Sequence, residues 1–185
     1  MGFALAHEAV RRGARVTLVL GPVPEIPSPV ARLRVISVES AREMDAAVQK
    51  RLAGTDIFIG AAAVSDFRPS QVHRQKLKGK PARVRLDLVR NPDILARAAK
   101  PGRRRPTCVI GFALETSTLL ANARKKLMQK NLDWIVANKA SNLASARGRV
   151  TVISRTGRRW ALAKMSKGAL AGKIWDIVTA AMSNE

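Results

Sequence analysis

The chain has 185 residues, 46% of them hydrophobic, which is enough for one well-buried core and short for two domains. No apolar run approaches the roughly 20 residues that a membrane-spanning helix needs. The charges of the first segment follow its apolar part, which is the reverse of a secretory signal. Cys108 is the only cysteine, which excludes an internal disulfide and suits a cytoplasmic location.

The charge balance is unusual, since 34 lysines and arginines stand against 13 acids and give a net charge of +21. Such a field attracts polyanions, namely nucleic acid, anionic membranes or phosphorylated small molecules. The basic residues are dispersed along the sequence, and three tryptophans and four phenylalanines leave little for base stacking. These observations favour charges spread over solvated faces, and dedicated nucleic-acid binding is the alternative.

The sequence of the first third of the chain indicates alternating helices and strands. Hydrophobic spacing and turn residues predict a helix over 3–12, strands over 15–20 and 31–38, and a third strand over 56–62. Between the second and third strands, Ser40 and Glu43 form an S-x-x-E capping box that opens a helix running to Leu52.

The same alternation continues after a polar, basic segment that ends near residue 80. Asn91 and Pro92 are the expected N-cap and first residue of a helix. A hairpin is expected around Thr156-Gly157, and Ser166 is expected to cap the last helix. The remaining predicted elements are strands over 83–88, 107–112 and 133–138, helices over 92–100 and 117–130, and hairpin strands over 149–155 and 158–163.

Strands that alternate with helices indicate an α/β fold, here a Rossmann-like three-layer sandwich with a mostly parallel sheet. A C-terminal β-hairpin and helix complete it, and residues 1–185 are expected to form a single domain. The chain begins with a helix, where such folds normally begin with a strand and its phosphate-binding turn. The first strand is therefore expected to be missing.

Three predicted strands end in the same way, as IFIGAAAVSD, CVIGFALET and DWIVANKAS. Each passes from bulky to small residues and then reaches polar ones, namely Asp66, Glu115 with Thr116, and Asn138. Ligands bind in the crevice at the carboxyl ends of parallel strands, where small residues let a ligand approach the backbone. Ordinary packing of a helix against Gly60 and the alanines is the alternative, and the threefold recurrence favours a site.

Several charged residues could serve such a site. Asp66 could hold a sugar hydroxyl or a hydrated Mg²⁺, or it could simply cap a turn. Lys76, Lys78 and Lys80 lie on a glycine-containing loop that is either a lid over a phosphate or a solvated loop. Lys126 and Lys130 share one helix face, which suits either solvation or an anion between them.

These motifs resemble those of the phosphopantothenoylcysteine synthetase domain of coenzyme A biosynthesis, usually the C-terminal half of a bacterial bifunctional flavoprotein. The segments that carry the resemblance are MGFALAHEAVRRGARVTLVLGPV, SAREM, AAAVSDFRP, K-L-K, LVRNPDIL, GFALET and ARKKLMQKNLDWIVAN. They cover residues 1 to about 138, and NPDIL, GFALET, KNLDWIVAN and AAAVSDFRP are the most specific.

The resemblance implies a ligase that activates 4′-phosphopantothenate with CTP to an acyl-cytidylate, which the amine of cysteine then attacks. It implies Mg²⁺ with the nucleotide, a homodimer, a decarboxylase domain or protein as a possible partner, and Lys76 as the catalytic lysine on a mobile flap. The CTP contacts that it implies are Gly60, Ala61, Ala62, Asp66, Lys76, Asn91, Pro92, Asp93, Ile94, Phe112, Lys126 and Lys130.

The sequence also departs from the family. The opening strand, its glycine-rich turn and the segment before MGFA, which contributes to the acyl half of the site, are absent, so the domain is expected to be truncated at its N-terminus. Lys139 stands where relatives have the aspartate of N-D-V-S. A CTP-binding remnant without synthetase activity is therefore one alternative function, and a basic nucleic-acid-binding protein is the other.

Overall fold

The computed structural model describes residues 1–24, 28, 30–71, 83, 85–115, 118–139, 145 and 147–183. The helices are Gly2–Arg11 (α1), Ala41–Gln49 (α2), Ile94–Ala98 (α3), Leu119–Gln129 (α4) and Lys167–Met182 (α5). The strands are Val16–Leu20 (β1), Leu33–Ser37 (β2), Ile57–Gly60 (β3), Phe67–Pro69 (β4), Leu88–Arg90 (β5), Cys108–Glu115 (β6), Trp134–Lys139 (β7), Arg147–Ser154 (β8) and Arg159–Ser166 (β9).

Local capping signals set two of the helix starts. The Ser40 hydroxyl accepts a 3.2 Å hydrogen bond from the Glu43 N–H, and the Glu43 carboxylate accepts one of 3.0 Å from the Glu39 N–H. Ser166 caps α5 in the same way through the Ala169 N–H. The predicted capping box and the predicted cap of the last helix are confirmed, because both depend on residues only a few positions apart.

The main sheet has five strands in the order β3-β6-β7-β8-β9. The pairs β3–β6 and β6–β7 are parallel, while β8 and β9 add an antiparallel hairpin. The core on one face of the sheet includes α1 and α5, and the core on the other face includes α4 and Ala99, which follows α3. The predicted three-layer α/β architecture with a C-terminal hairpin is confirmed.

A gap separates this sheet from the parallel pair β1–β2. Val19 of β1 and Phe58 of β3 pack against one cluster on α2 and α3, whereas Val16 and Ile57 pack against the core that includes α1 and α5. The two strands therefore lie in one layer, between the same helices. No strand among the described residues pairs with β3 on the side away from β6, as expected for a sheet without its first strand.

Two predictions around residue 90 are wrong. The described residues of 83–88 form a strand only at Leu88, which begins β5 and pairs antiparallel with β4. Leu86 is 66% exposed, so the alternation there does not mark a buried face. The helix expected over 92–100 is shorter, and its N-cap is Asp93, because the Asn91 side chain bonds to the Ser65 carbonyl oxygen instead.

Gly60 and Gly111 are register partners on β3 and β6, and both lie under Leu95 of α3. A Cβ on Gly60 would lie 2.9 Å from Leu95 Cδ1. A Cβ on Gly111 would lie 2.9 Å from Leu95 Cδ2 and 2.6 Å from Leu132 Cδ1. The two glycines therefore let α3 rest directly on the sheet.

We expect Gly111→Ala to lower the free energy of unfolding by about 1–3 kcal/mol, because two packed leucines must move to admit the methyl group. Gly168→Ala on α5 is the control, since its Cβ would meet nothing within 4 Å and alanine favours a helix. Urea unfolding of both variants measures the difference. Equal stability of Gly111→Ala and the unsubstituted protein would contradict the packing assigned to Leu95.

Candidate functional site

The carboxyl ends of the parallel strands β3, β6 and β7 lie at one edge of the sheet, where the sequence analysis predicts a crevice. β3 ends at Gly60, whereas its neighbour β6 continues to Glu115. On this extension, the Phe112 carbonyl oxygen accepts a 2.7 Å hydrogen bond from Lys126 Nζ. The helix α4 thereby places one ammonium group at the end of the sheet where ligands of open α/β folds bind.

Lys130, the residue that follows α4, reaches the start of α3. Lys130 Nζ lies 2.7 Å from Asp93 Oδ2, and Asp93 also caps α3 by accepting a 3.0 Å hydrogen bond from the Ala96 N–H. Because Lys126 and Lys130 are four residues apart, both side chains project from the same side of α4. Lys126 therefore contacts the end of β6 beyond the tip of β3, and Lys130 contacts the N-cap of α3.

The pKa of the Asp93 carboxyl group reflects the charges around it. Burial opposes ionisation of its carboxyl group, but the hydrogen bonds from Lys130 and from the Ala96 N–H outweigh that effect. With the charges of Lys130 and Lys126, they hold the pKa of Asp93 below its usual value. Asp93 is therefore anionic at neutral pH and offsets part of the lysine charge.

Asn91 joins the end of β5 to the segment that follows β3. Its side-chain Nδ2 donates a 2.9 Å hydrogen bond to the Ser65 carbonyl oxygen, and its backbone N–H donates one of 2.8 Å to the Asp66 carbonyl oxygen. The backbone of Asp66 is consequently held beside Asn91, two residues before the N-cap of α3, and its side chain is exposed. Two sequence motifs, AAAVSD and RNPD, come together through this one amide.

The space beside Gly60 is filled, because Leu95 of α3 packs against this glycine. Leu95 occupies the side of Gly60 that faces α3, so the alternative interpretation, helix packing, applies to this glycine. Ala61 is half-buried and packs against the core that includes α1 and α5, while Ala62 is exposed.

The other predicted contact residues divide by exposure. Ile94 is buried in the cluster between α2 and α3, so its side chain does not face solvent. Pro92 and Phe112 are half-buried. Lys76, Lys78, Lys80 and Thr116 lie outside the described residues, as does the side chain of Glu115.

Sequence reasoning missed Arg68 of β4. Its guanidinium donates hydrogen bonds of 2.5 Å to the Arg90 carbonyl oxygen and 3.3 Å to Asn91 Oδ1. Arg68 thereby orients the amide that holds the Ser65 backbone. No local signal marks this residue, because its contacts depend on the pairing of β4 with β5.

The described part of the chain shows neither a metal-ligand cluster nor a membrane-spanning helix. No three His, Cys, Asp or Glu side chains there come together as metal ligands would. None of the helices in those ranges has the length and apolar character required to cross a bilayer.

The fold and these contacts together define a class, namely a Rossmann-like α/β domain with two lysines near the carboxyl ends of its parallel strands. The family model described as "DNA/pantothenate metabolism flavoprotein C-terminal domain" matches residues 1–182. The chain belongs to this family, which confirms the resemblance stated from its motifs.

Curated relatives show how much of a longer protein this chain represents. It is 42% identical over 184 residues to Coenzyme A biosynthesis bifunctional protein CoaBC of Vibrio cholerae, covering 96% of this chain and 45% of that protein. It is 46% identical over 144 residues to the protein of the same name from Escherichia coli strain K12, covering 76% and 35% respectively. The chain thus spans slightly less than half the length of the Vibrio cholerae relative.

Solved structures agree with the fold. A crystal structure of the C-terminal domain of Coenzyme A biosynthesis bifunctional protein CoaBC matches with a TM-score of 0.81 at 31% identity, covering 99% of this chain and 82% of that chain. A Cab2 mutant in complex with phosphopantothenate-cysteine matches with a TM-score of 0.63 at 21% identity, covering 83% and 54%. The second likeness concerns the fold alone.

Proposed function

We propose that this chain is the ligase domain that joins 4′-phosphopantothenate to cysteine with CTP. In this reaction a carboxylate oxygen of phosphopantothenate attacks the α-phosphorus of CTP, and pyrophosphate leaves. The cysteine amine then attacks the acyl carbon of the acyl-cytidylate, loses a proton and displaces CMP. Membership of the family and the names of the relatives support the reaction class.

The observation that carries the proposal is the meeting of Lys126, Lys130 and Asp93 at the carboxyl end of the sheet. Two segments supply these groups, α4 with its C-cap and the start of α3, and the two lysines have the sign of charge that a nucleoside triphosphate requires. Asn91, two residues before Asp93, bonds to the backbone of residues 65–66.

Each group has a physical role in this proposal. Lys126 and Lys130 would neutralise the phosphates as charge builds on the departing pyrophosphate. Asp93 holds Lys130 in position before the nucleotide arrives. Because the described residues form no carboxylate cage, Mg²⁺ would be bound mainly by phosphate oxygens, with the exposed Asp66 within the same region.

We expect the unsubstituted chain to bind CTP in calorimetry and to release pyrophosphate when phosphopantothenate and cysteine are present. We expect Lys76→Ala to lower turnover by at least about 100-fold, because it removes a cation that stabilises charge in the transition state. Lys125→Ala, on the exposed side of α4, is the matched control and should retain activity.

The same assays separate the rival functions. CTP binding without pyrophosphate release in the unsubstituted chain would support a nucleotide-binding remnant and contradict the ligase. Unchanged turnover in Lys76→Ala would contradict the role given to that lysine. Absence of CTP binding would contradict both nucleotide-binding functions.

We also propose that one further extended segment belongs between β1 and β3. β1 bonds only to β2 and β3 only to β6 among the described strands, although both lie between the same helices. Unpaired strand edges inside a layer leave backbone N–H and C=O groups without sheet partners. A parallel strand would satisfy both edges at once.

Hydrogen exchange tests this proposal with a peptide that copies the opening strand of the Vibrio cholerae relative. We expect the peptide to slow exchange at β1 and β3 amides about tenfold or more, because they gain ladder partners, and a scrambled peptide to have no effect. Equally slow exchange at β1, β3 and the doubly paired β7 before any addition would argue against a gap.

We also propose two binding partners for this domain. The relatives are named as bifunctional proteins, so we expect a decarboxylase domain or protein as one partner. A second copy of this chain is the other, and the antiparallel pair β4–β5 offers a surface for it. On this pair Phe67 is 49% exposed and Leu88 is 55% exposed, which is unusual for large apolar side chains.

We expect sedimentation velocity to give a dimer and Leu88→Asp to shift it towards monomer, because the substitution places a charge in the apolar contact. Val23→Asp is the control, since Val23 is exposed but lies outside the β4–β5 pair. Equal dimerisation by both variants would place the interface elsewhere.

A further inference from the structure

Three loops meet at the amino ends of the parallel strands, opposite the crevice. They are residues 99–107 before β6, residues 131–133 before β7, and the turn 155–158 between β8 and β9. Because β8 runs antiparallel to β7, the end of β8 lies beside the start of β7. Residues far apart in sequence are therefore neighbours on this surface.

Asn131 ties these loops together. Its Nδ2 donates a 3.0 Å hydrogen bond to the Ala99 carbonyl oxygen, and its Oδ1 accepts one of 2.6 Å from the Arg155 guanidinium. Arg105 donates to the Asn131 carbonyl oxygen at 3.2 Å. The surface is thus a fixed arrangement and not a set of independent loops.

Arginine dominates this surface, which we call the basic end. Arg124 of α4 belongs to it, because its guanidinium lies 3.8 Å from the position that a Cβ on Gly157 would take. All of its members except Arg105 are exposed. The basic end comprises Lys100, Arg103, Arg104, Arg105, Arg124, Arg155, Arg158 and Arg159.

Few carboxylates balance these cations. Asp133 is the only acid in the three loops, and both of its oxygens already accept hydrogen bonds from Arg105, at 2.9 and 2.8 Å. Asp56 precedes β3 on the same edge of the sheet. Apart from Arg105, no member of the basic end forms an ion pair with another described residue. This surface therefore carries positive charge that described carboxylates do not balance.

The chemistry of this surface suits phosphate groups. Arginine binds phosphate through two parallel N–H donors, and a group of fixed arginines matches repeated phosphates better than one small anion. The exposed large apolar residues of the described chain lie outside these three loops, so nothing there would insert into a lipid bilayer. A nucleic-acid backbone fits these features better than a membrane does.

We propose that the basic end binds the phosphate backbone of nucleic acid without sequence preference. The nearest aromatic ring, Trp160, is occupied by the Arg158 guanidinium at 5.4 Å and by Trp134 at 5.5 Å between ring centroids. No ring is therefore presented for base stacking at this surface, and recognition rests on the backbone charge. This binding is separate from the nucleotide crevice at the other end of the sheet.

Fluorescence anisotropy with a short labelled DNA duplex over a series of salt concentrations tests the proposal. The variant is Arg103→Gln, Arg104→Gln and Arg158→Gln together, which removes three exposed cations. We expect the slope of log affinity against log salt to become shallower by about 2 to 3, since each phosphate contact contributes about 0.9. A duplex of scrambled sequence should bind equally.

The control removes the same charge elsewhere, through Arg34→Gln, Arg42→Gln and Arg85→Gln, all exposed residues outside the basic end. It should keep a slope within about 1 of the unsubstituted protein. Equal loss in both triple variants would show that only the overall charge of +21 binds DNA, which would overturn the proposal. Failure of the unsubstituted protein to bind, or tighter binding to phosphatidylserine vesicles at equal salt, would also overturn it.

Two additional measurements keep the test interpretable. Circular dichroism melting checks that each triple variant is folded, and the double variant Arg103→Gln, Arg104→Gln should show about two thirds of the slope change. Calorimetry with CTP should give the same affinity for both triple variants, because none of these residues lines the crevice. A failure of the basic end is thereby distinguishable from a failure of the proposed ligase function.

Discussion

The contact of Leu95 with Gly60 and Gly111 sets how closely α3 approaches the sheet, and the cleft depends on that distance. Because neither glycine has a Cβ, the helix lies low enough for Asp93 at its N-terminus to reach Lys130. A larger residue in either strand would raise α3 and weaken the junction between β5 and the segment after β3. The packing of Leu95 on the sheet and the contact of Asp93 with Lys130 thus occur on the same short helix and its N-cap.

The two ends of the sheet have different electrostatic character although both are basic. At the carboxyl end, the cations are two lysines of α4, and Asp93 offsets part of their charge. At the amino end, the cations are mostly arginines on tied loops, with Asp133 already engaged by Arg105. The fold therefore converts a scattered excess of charge into a small, partly balanced cleft and a broad, uncompensated surface.

The sequence predicted best where the controlling contacts are local. The Ser40 capping box, the Ser166 cap and the turn at Gly157 each involve residues within a few positions, so composition and spacing suffice. Prediction failed around residues 83–93, where long-range pairing decides the outcome. Asn91 does not cap a helix because Ser65, which is distant in sequence, takes its side chain.

From the sequence alone, the order of helices and strands, the α/β class and the family motifs were determined, because hydrophobic periodicity and capping act over short stretches. Only the tertiary structure decided that Gly60 packs against Leu95, that Lys130 pairs with Asp93, and that dispersed arginines meet around Asn131. These juxtapositions arise from strand register and helix packing between distant segments, and no local pattern encodes them.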